Sequence, residues 1–160
     1  MRDVVIMEYV DYEKAKADIH LVRDTVFIRE QGIPEMLEYD GLDPGCEHVL
    51  ARDENERPIG TGRIQKDGHL GRLAVLKPWR RRGIGKSIMK ALLSRARESG
   101  MKEVFLDAQA EAVPFYEGLG FEPEGEPFYE ANILHVKMIK TLASQETGDV
   151  HPDGSNLVGE

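Results

Sequence analysis

The apolar positions along the chain follow two rhythms, and switches between them divide it into elements. Val4 to Val10 is rich in β-branched and apolar residues and predicts a strand. Asp11 stands where a helix cap belongs, and Ala15, Ile19, Val22 and Val26 then recur at helical spacing on one face. Gln31-Gly32-Ile33-Pro34 must end that helix, because Gly and Pro both oppose its continuation. An acidic loop follows from Glu35 to Glu47, carrying Glu35, Glu38, Asp40, Asp43 and Glu47; loops of this length are usually functional. His48 to Arg52 and Ile59 to Gln65 read as strands joined by the turn Asp53-Glu54-Asn55-Glu56. A second turn at Lys66-Asp67-Gly68 leads into a strand from His69 to Leu76.

From Gly83 to Ser99 the period becomes helical again. Ile84, Ile88, Leu92 and Ala96 form a stripe widened by Met89 and Leu93, with Lys86, Lys90, Arg97 and Glu98 outside it, and Gly100 as the stop. Val104 to Ala108 predicts a short strand, Val113 to Leu119 a short helix ended by Gly120, and Ile133 to Ile139 the last strand. The order β-α-β-β-β-α-β-α-β implies an α/β (α+β) single domain, a mixed sheet with helices on its faces, over residues 1–140. Residues 141–160 are polar without a period and read as a C-terminal tail. There is no internal repeat.

Composition then removes several classes. The 160 residues suffice for one domain, and 21 Lys+Arg against 29 Asp+Glu give a net charge of −8. That balance argues against a nucleic-acid partner and against an anionic membrane surface. No apolar run exceeds four residues, which excludes a transmembrane helix, and the first residues lack the long apolar stretch of a signal peptide. One cysteine, Cys46, can form neither an internal disulfide nor a zinc site, and a cytoplasmic location is expected.

Positive charge is nevertheless concentrated in one place. Leu73-Ala74-Val75-Leu76-Lys77-Pro78-Trp79-Arg80-Arg81-Arg82-Gly83-Ile84-Gly85-Lys86-Ser87 is a strand, an arginine-rich turn and two glycines opening an amphipathic helix. Unpaired N–H groups at a helix start carry partial positive charge, and glycine lets an anion approach the backbone. The physical reading is a pyrophosphate site. Gly85-Lys86-Ser87 imitates the end of a P-loop, but Arg80 stands where that motif needs glycine, and Ile88 breaks a dinucleotide fingerprint.

The spacing Arg80-x-x-Gly83-x-Gly85, behind Leu73-Ala74-Val75, resembles the acyl-CoA loop of the GNAT acyltransferase superfamily. Ala112-Val113-Pro114-Phe115-Tyr116-Glu117-Gly118-Leu119-Gly120-Phe121 is similar to that family's second motif, at the expected distance downstream. Val26-Phe27-Ile28-Arg29-Glu30-Gln31, the acidic loop ending in His48, Ala108-Gln109-Ala110 and Ile133-Leu134-His135-Val136-Lys137-Met138 resemble the ElaA-like branch. The likeness covers about residues 4–140. It implies a largely antiparallel sheet with a bulged, splayed strand, and acetyl-CoA as co-substrate with no metal.

By that resemblance the backbone of Leu73, Ala74 and Val75 pairs with pantetheine as if it were another strand, and Phe115 belongs to the core or the pantetheine wall. The N–H groups of Arg80, Arg81, Arg82, Gly83, Ile84, Gly85, Lys86 and Ser87 hold the pyrophosphate, helped by a subset of the cationic side chains. The Val75 N–H stabilises the charge that develops on the acyl oxygen, and Tyr116 protonates the leaving thiolate. Glu30, Asp40 and His135 are the candidate bases; each has a structural alternative, as an ion-pair partner, a turn former and a core histidine respectively. Arg63 either binds an acidic substrate group or pairs with the loop carboxylates. His48 ties the loop to the second strand, and Trp79 packs on the arginine turn. The expected reaction is acetyl transfer to a primary amine of a small molecule or peptide, the alternative being a catalytically silent CoA-binding module. The acidic loop hints at a cationic acceptor, and a homodimer through the tail or a sheet edge is compatible with the sequence.

Overall fold

The computed structural model describes residues 4–143. The chain enters on an outer strand, β1 (Val5–Val10), and turns at Asp11, whose extended backbone and carboxylate accepting the Lys14 N–H at 3.1 Å cap the first helix. That helix, α1 (Tyr12–Arg23), does not stop where its regular pairing ends. It widens across Asp24–Glu30 into π geometry, with Gln31 N–H reaching back to Val26 O at 3.1 Å. The buried stripe Ala15, Ile19, Val22, Val26 thus runs as the spacing predicts, but the last two turns are broader than an α-helix. The helix ends before Gly32, in the expected place.

The acidic segment is more ordered than a loop. It holds a one-turn helix, α2 (Glu35–Glu38), and a tight 3-10 turn over Asp43–Gly45. Strands β2 (Glu47–Asp53), β3 (Pro58–Ile64) and β4 (Leu70–Val75) follow, and β1-β2-β3-β4 is one antiparallel sheet. After β4 come α3 (Ile84–Glu98), β5 (Glu103–Gln109) and a short α4 (Val113–Glu117). Two short strands absent from the sequence reading, β6 (Glu122–Pro123) and β7 (Phe128–Glu130), then precede β8 (Ile133–Thr141). β8 pairs antiparallel with β5 on one side and with β6 and β7. Leu142 beyond it is buried and donates its N–H to Lys102 O at 2.8 Å. The polar stretch expected as a tail lies outside the described residues from 144 onward.

Helices cover both faces, and β2 shows why. Leu50 packs with Tyr12, Ala15 and Ile19 of α1, whereas its neighbours Val49 and Ala51 join the larger core under α3 with Ile88, Met89 and Leu92. Adjacent residues of a strand point to opposite faces, so the two helices sandwich the sheet. Gly62 lets α3 lie close against β3, since a Cβ there would stand 2.9 Å from Ile88 Cγ2 and 3.1 Å from Leu92 Cδ1. This is a single mixed α/β domain built from two antiparallel half-sheets.

Two irregularities shape what lies between the halves. The β3–β4 register shifts between Thr61↔Ala74 and Arg63↔Gly71, leaving Arg72 and Leu73 opposite Gly62 as a β-bulge. Arg72 has φ +49 there, a left-handed conformation costing a non-glycine residue about 1–2 kcal/mol. Among the described residues the half-sheets are joined by backbone hydrogen bonding only just before β4, through a parallel His69↔Phe105 bridge and Phe105 N–H on Gly68 O at 3.0 Å. Beyond it β4 and β5 share no ladder and diverge, opening a wedge at their C-terminal ends.

Candidate active site

The wedge exposes main-chain groups of β4. Leu76 N–H donates to Ile59 O at 2.9 Å, so in an antiparallel ladder the adjacent pair, Gly60 and Val75, turns its N–H and C=O groups away from the shared side. Val75 therefore faces the gap. Its carbonyl is taken by Arg80 Nε at 2.8 Å, while its N–H meets no acceptor among the described residues. Arg80 is itself held, with Nη1 and Nη2 donating to Glu30 Oε2 and Oε1 at 2.7 and 2.8 Å. The first arginine of the loop motif is thus a brace between the π turn and the end of β4.

Gly83, at φ +82, carries the chain into α3, whose start has no side-chain cap. The leading N–H groups of that helix are left for an outside acceptor. Arg81, Arg82 and Lys86 are exposed around them, with Arg82 stacked over Trp79 at 4.9 Å. Gly85 looks onto α4: a Cβ there would stand 3.6 Å from Phe115 Cζ and 3.8 Å from Val75 Cγ2. The two motifs quoted from the sequence, some 30 residues apart, therefore touch at the mouth of the wedge. Open β4 amides, an uncapped helix start and exposed cations fit a long amide-bearing thioester with a pyrophosphate.

A cavity of about 540 Å³ continues from the wedge toward the acidic segment. Leu73, Ala74, Val75, Arg80, Tyr116, His135 and Asp40 all line it; Glu30 borders it through Arg80, and residues 81–87 and Phe115 lie outside its wall. Tyr116 packs edge-on against Phe115 and Phe121, and burial pushes its phenol up to about 12. Its hydroxyl has no hydrogen-bond partner among the described residues. His135 stacks on Phe128, and its Nδ1 lies 2.7 Å from Ile133 O. A carbonyl can only accept, so Nδ1 carries a proton, and the tautomer this contact selects has its lone pair on Nε2.

The other two candidate bases are engaged by guanidinium groups. Arg80 beside Glu30 holds that carboxyl below its ordinary range, the hydrogen bonds outweighing the desolvation that opposes them. Asp40 accepts from Arg63 Nη2 at 2.6 Å and lies 3.3 Å from Arg72 Nη2. Burial would raise its carboxyl, but those arginines and the Leu42 N–H drive it strongly down. Arg63 thus pairs with loop carboxylates, Asp43 included at 2.8 Å. Behind them Arg23 and Glu38 complete a buried ionic network at 2.8 Å, and Arg23 also reaches Asp43 at 2.7 Å. His48 Nε2 lies 2.9 Å from Asp43 O and ties this segment to β2 as expected.

Sequence reasoning assigned no role to Gln31 and Gln109, which hydrogen-bond each other at 2.8 and 3.4 Å and line the same cavity, nor to Arg72. A bond between residues 78 positions apart has no local signal. Only their presence in segments shared with the ElaA-like branch pointed to the two glutamines. Among the described residues there is no cluster of three or more His, Cys, Asp or Glu side chains suited to a metal.

Residues 11–142 match the family model described as Acetyltransferase (GNAT) domain, and the chain belongs to this acyltransferase family. Acyl transfer is accordingly its general chemistry. Within the family it sits in the ElaA-like branch: the crystal structure of Escherichia coli ElaA aligns with TM-score 0.76 and 26% identity, over 84% of this chain and 99% of that one. Among curated relatives, the uncharacterized N-acetyltransferase YjcF of Bacillus subtilis (strain 168) is 41% identical over 132 residues, 80% of this chain and 94% of that protein. The uncharacterized protein YyaT of the same organism is 38% identical over 141 residues, 82% and 95% respectively.

Proposed function

We propose that the protein is an acyl-CoA-dependent N-acetyltransferase that moves an acetyl group from acetyl-CoA to a primary amine of a small molecule or peptide, by direct attack on the thioester. The observation that carries this reading is the meeting of Gly85 and Phe115 beside Val75, which joins an anion-binding helix start to a strand edge turned toward a wedge. Acetyl-CoA supplies the activated acyl group. Leu73 to Val75 offer main-chain groups for its pantetheine amides, and the N–H groups from Arg80 to Ser87 receive its pyrophosphate. The Val75 N–H faces the oxygen that gains charge during attack.

Two protons have to be managed. An alkylamine with pKa near 10.4 is neutral in only about one molecule per thousand at pH 7.4, so a group or water chain must accept its proton. His135 suits that task best of the three candidates, because Nε2 offers a lone pair while Glu30 and Asp40 are committed to arginines. Tyr116 suits the second. Burial keeps its phenol protonated across the working range, and no described residue competes for the hydroxyl that would donate to the departing sulfur. A thiolate is a fair leaving group, so that donation contributes modestly.

Incubation with acetyl-CoA and a panel of amines tests the reading, with free CoA thiol followed by colour and product by mass spectrometry. Thiol release matched by an acetylated amine is expected. Thermal stabilisation by acetyl-CoA without any acylated product would favour a silent CoA-binding module, and neither effect at millimolar cofactor would sink the reading.

A further inference from the structure

Acyl transfer gives Arg72 no task, although it is the one non-glycine residue of β4 with a positive φ. It sits in the bulge at φ +49, immediately before the Leu73–Val75 stretch that faces the wedge. Backbone in this region persists in a non-glycine residue only when the surroundings over-determine it. Here the side chain does so. Arg72 leaves the sheet and grips the acidic segment: Nε donates to Glu38 O at 3.2 Å, and Nη2 donates to Glu38 O at 2.9 Å and to Leu37 O and Asp40 Oδ2 at 3.3 Å. The Glu38 carboxylate lies 3.3 Å from Nε as well.

Two of those acceptors are carbonyls at the C-terminal end of α2, so the guanidinium fixes the path of the backbone and not just its charge. Glu38 and Asp40 have Arg23 and Arg63 as further partners, so the segment keeps a folded anchor without Arg72. What Arg72 adds is a link to the bulge. Leu37, Glu38, Asp40 and Leu42 from the segment and Arg72 and Leu73 from the bulge line one cavity.

We propose that Arg72 is a positioning residue that couples the acyl-CoA wedge to residues 35–43, so that filling the wedge beside Leu73–Val75 fixes the wall that this acidic segment gives the cavity, where an acceptor amine would enter. The coupling rests on the acyl-CoA reading of the wedge. It runs through one rigid object, since a ligand paired along Leu73–Val75 restrains the bulge and the bulge aims the guanidinium.

Hydrogen exchange of the full chain with and without saturating coenzyme A, in the wild type and Arg72→Gly, tests this. Glycine accepts φ +49, so the variant keeps the bulge while losing the grip. Coenzyme A should slow exchange over residues 73–87 in both proteins, and over 35–43 by about fivefold or more in the wild type alone. In kinetics the variant should raise KM for the amine and leave KM for acetyl-CoA within about twofold. Slowing over 35–43 that is equal in the two proteins, or absent from both while 73–87 is protected, overturns the coupling. No protection over 73–87 in either protein overturns the acyl-CoA reading together with the coupling that depends on it. Arg72→Asn, which also tolerates the left-handed region, repeats the measurement on a second backbone-compatible variant, and Arg72→Lys should restore only part of the effect because its single nitrogen can replace the Nη2 contacts but not the Nε contacts to Glu38 as well.

Discussion

Tyr116 reaches the cavity with an aromatic body packed on Phe115 and Phe121 and a hydroxyl that no described residue claims. An acid used only to cap a thiolate should matter moderately. Tyr116→Phe is expected to lower kcat about 10- to 100-fold with KM for acetyl-CoA nearly unchanged, read from steady-state thiol release. An unchanged kcat would remove Tyr116 from the chemistry. Its place beside Phe115 and Phe121 was legible in the sequence because the motif is local: Phe-Tyr and Gly-Phe fall within one short turn of helix and its exit. For Asp40 the sequence offered pairing with Arg63 only as one of two alternatives, and for Glu30 an ion pair without its partner, because Arg80 stands 50 positions from Glu30 and Arg63 stands 23 from Asp40. Spacing along a chain carries no information about ion pairs closed by the fold.

Among the elements, the π turn over Asp24–Glu30 is the one that joins the two halves of the site. It ends on Glu30, which clamps Arg80, and hands over to Gln31, which bonds Gln109 across the wedge. The Glu30–Arg80 pair is about one-third exposed on each side, so its contribution is under about 1 kcal/mol. Glu30→Gln should raise KM for acetyl-CoA by no more than about fivefold and leave kcat close to wild type. A kcat loss of a hundredfold or more would instead make Glu30 the base. Strands β1 to β5 and β8 and helix α3 were readable from composition, period and turn residues. The widened turn, α2, β6 and β7 were not: wide and regular helical turns share the same apolar spacing over so short a span, and strands of two or three residues are too brief to show alternation.

At the scale of the molecule, the buried ionic network makes stability depend on pH. His48 is buried against Tyr12, with the Asp43 carboxylate 3.9 Å away, and desolvation lowers its pKa although Asp43 opposes the shift. The unfolded chain therefore takes up a proton at pH values where the folded ring stays neutral. Stability should be fully present above about pH 6.5 and fall as pH drops below it, with His20 acting in the same sense. Calorimetry from pH 8 to 5 should show Tm falling by a few degrees below pH 6.5, and His48→Gln, which can still donate to Asp43 O, should flatten that fall. An identical slope in the variant would assign the dependence elsewhere. The general architecture was legible because the order of elements and two spaced motifs constrain it; the network was not, since it draws on α1, the acidic segment, β3 and the bulge at once.

The divergence of β4 from β5 has a cost that concerns neither catalysis nor recognition. Strands that part leave unpaired amides and carbonyls, the same template through which exposed sheet edges recruit foreign chains and seed aggregates. Here that template is set inside the domain, flanked by a half-sheet on each side. A foreign chain can reach it only as one extended strand threaded between the two, so an opening that admits a single slender amide-bearing arm is guarded, by its own walls, against growing a sheet.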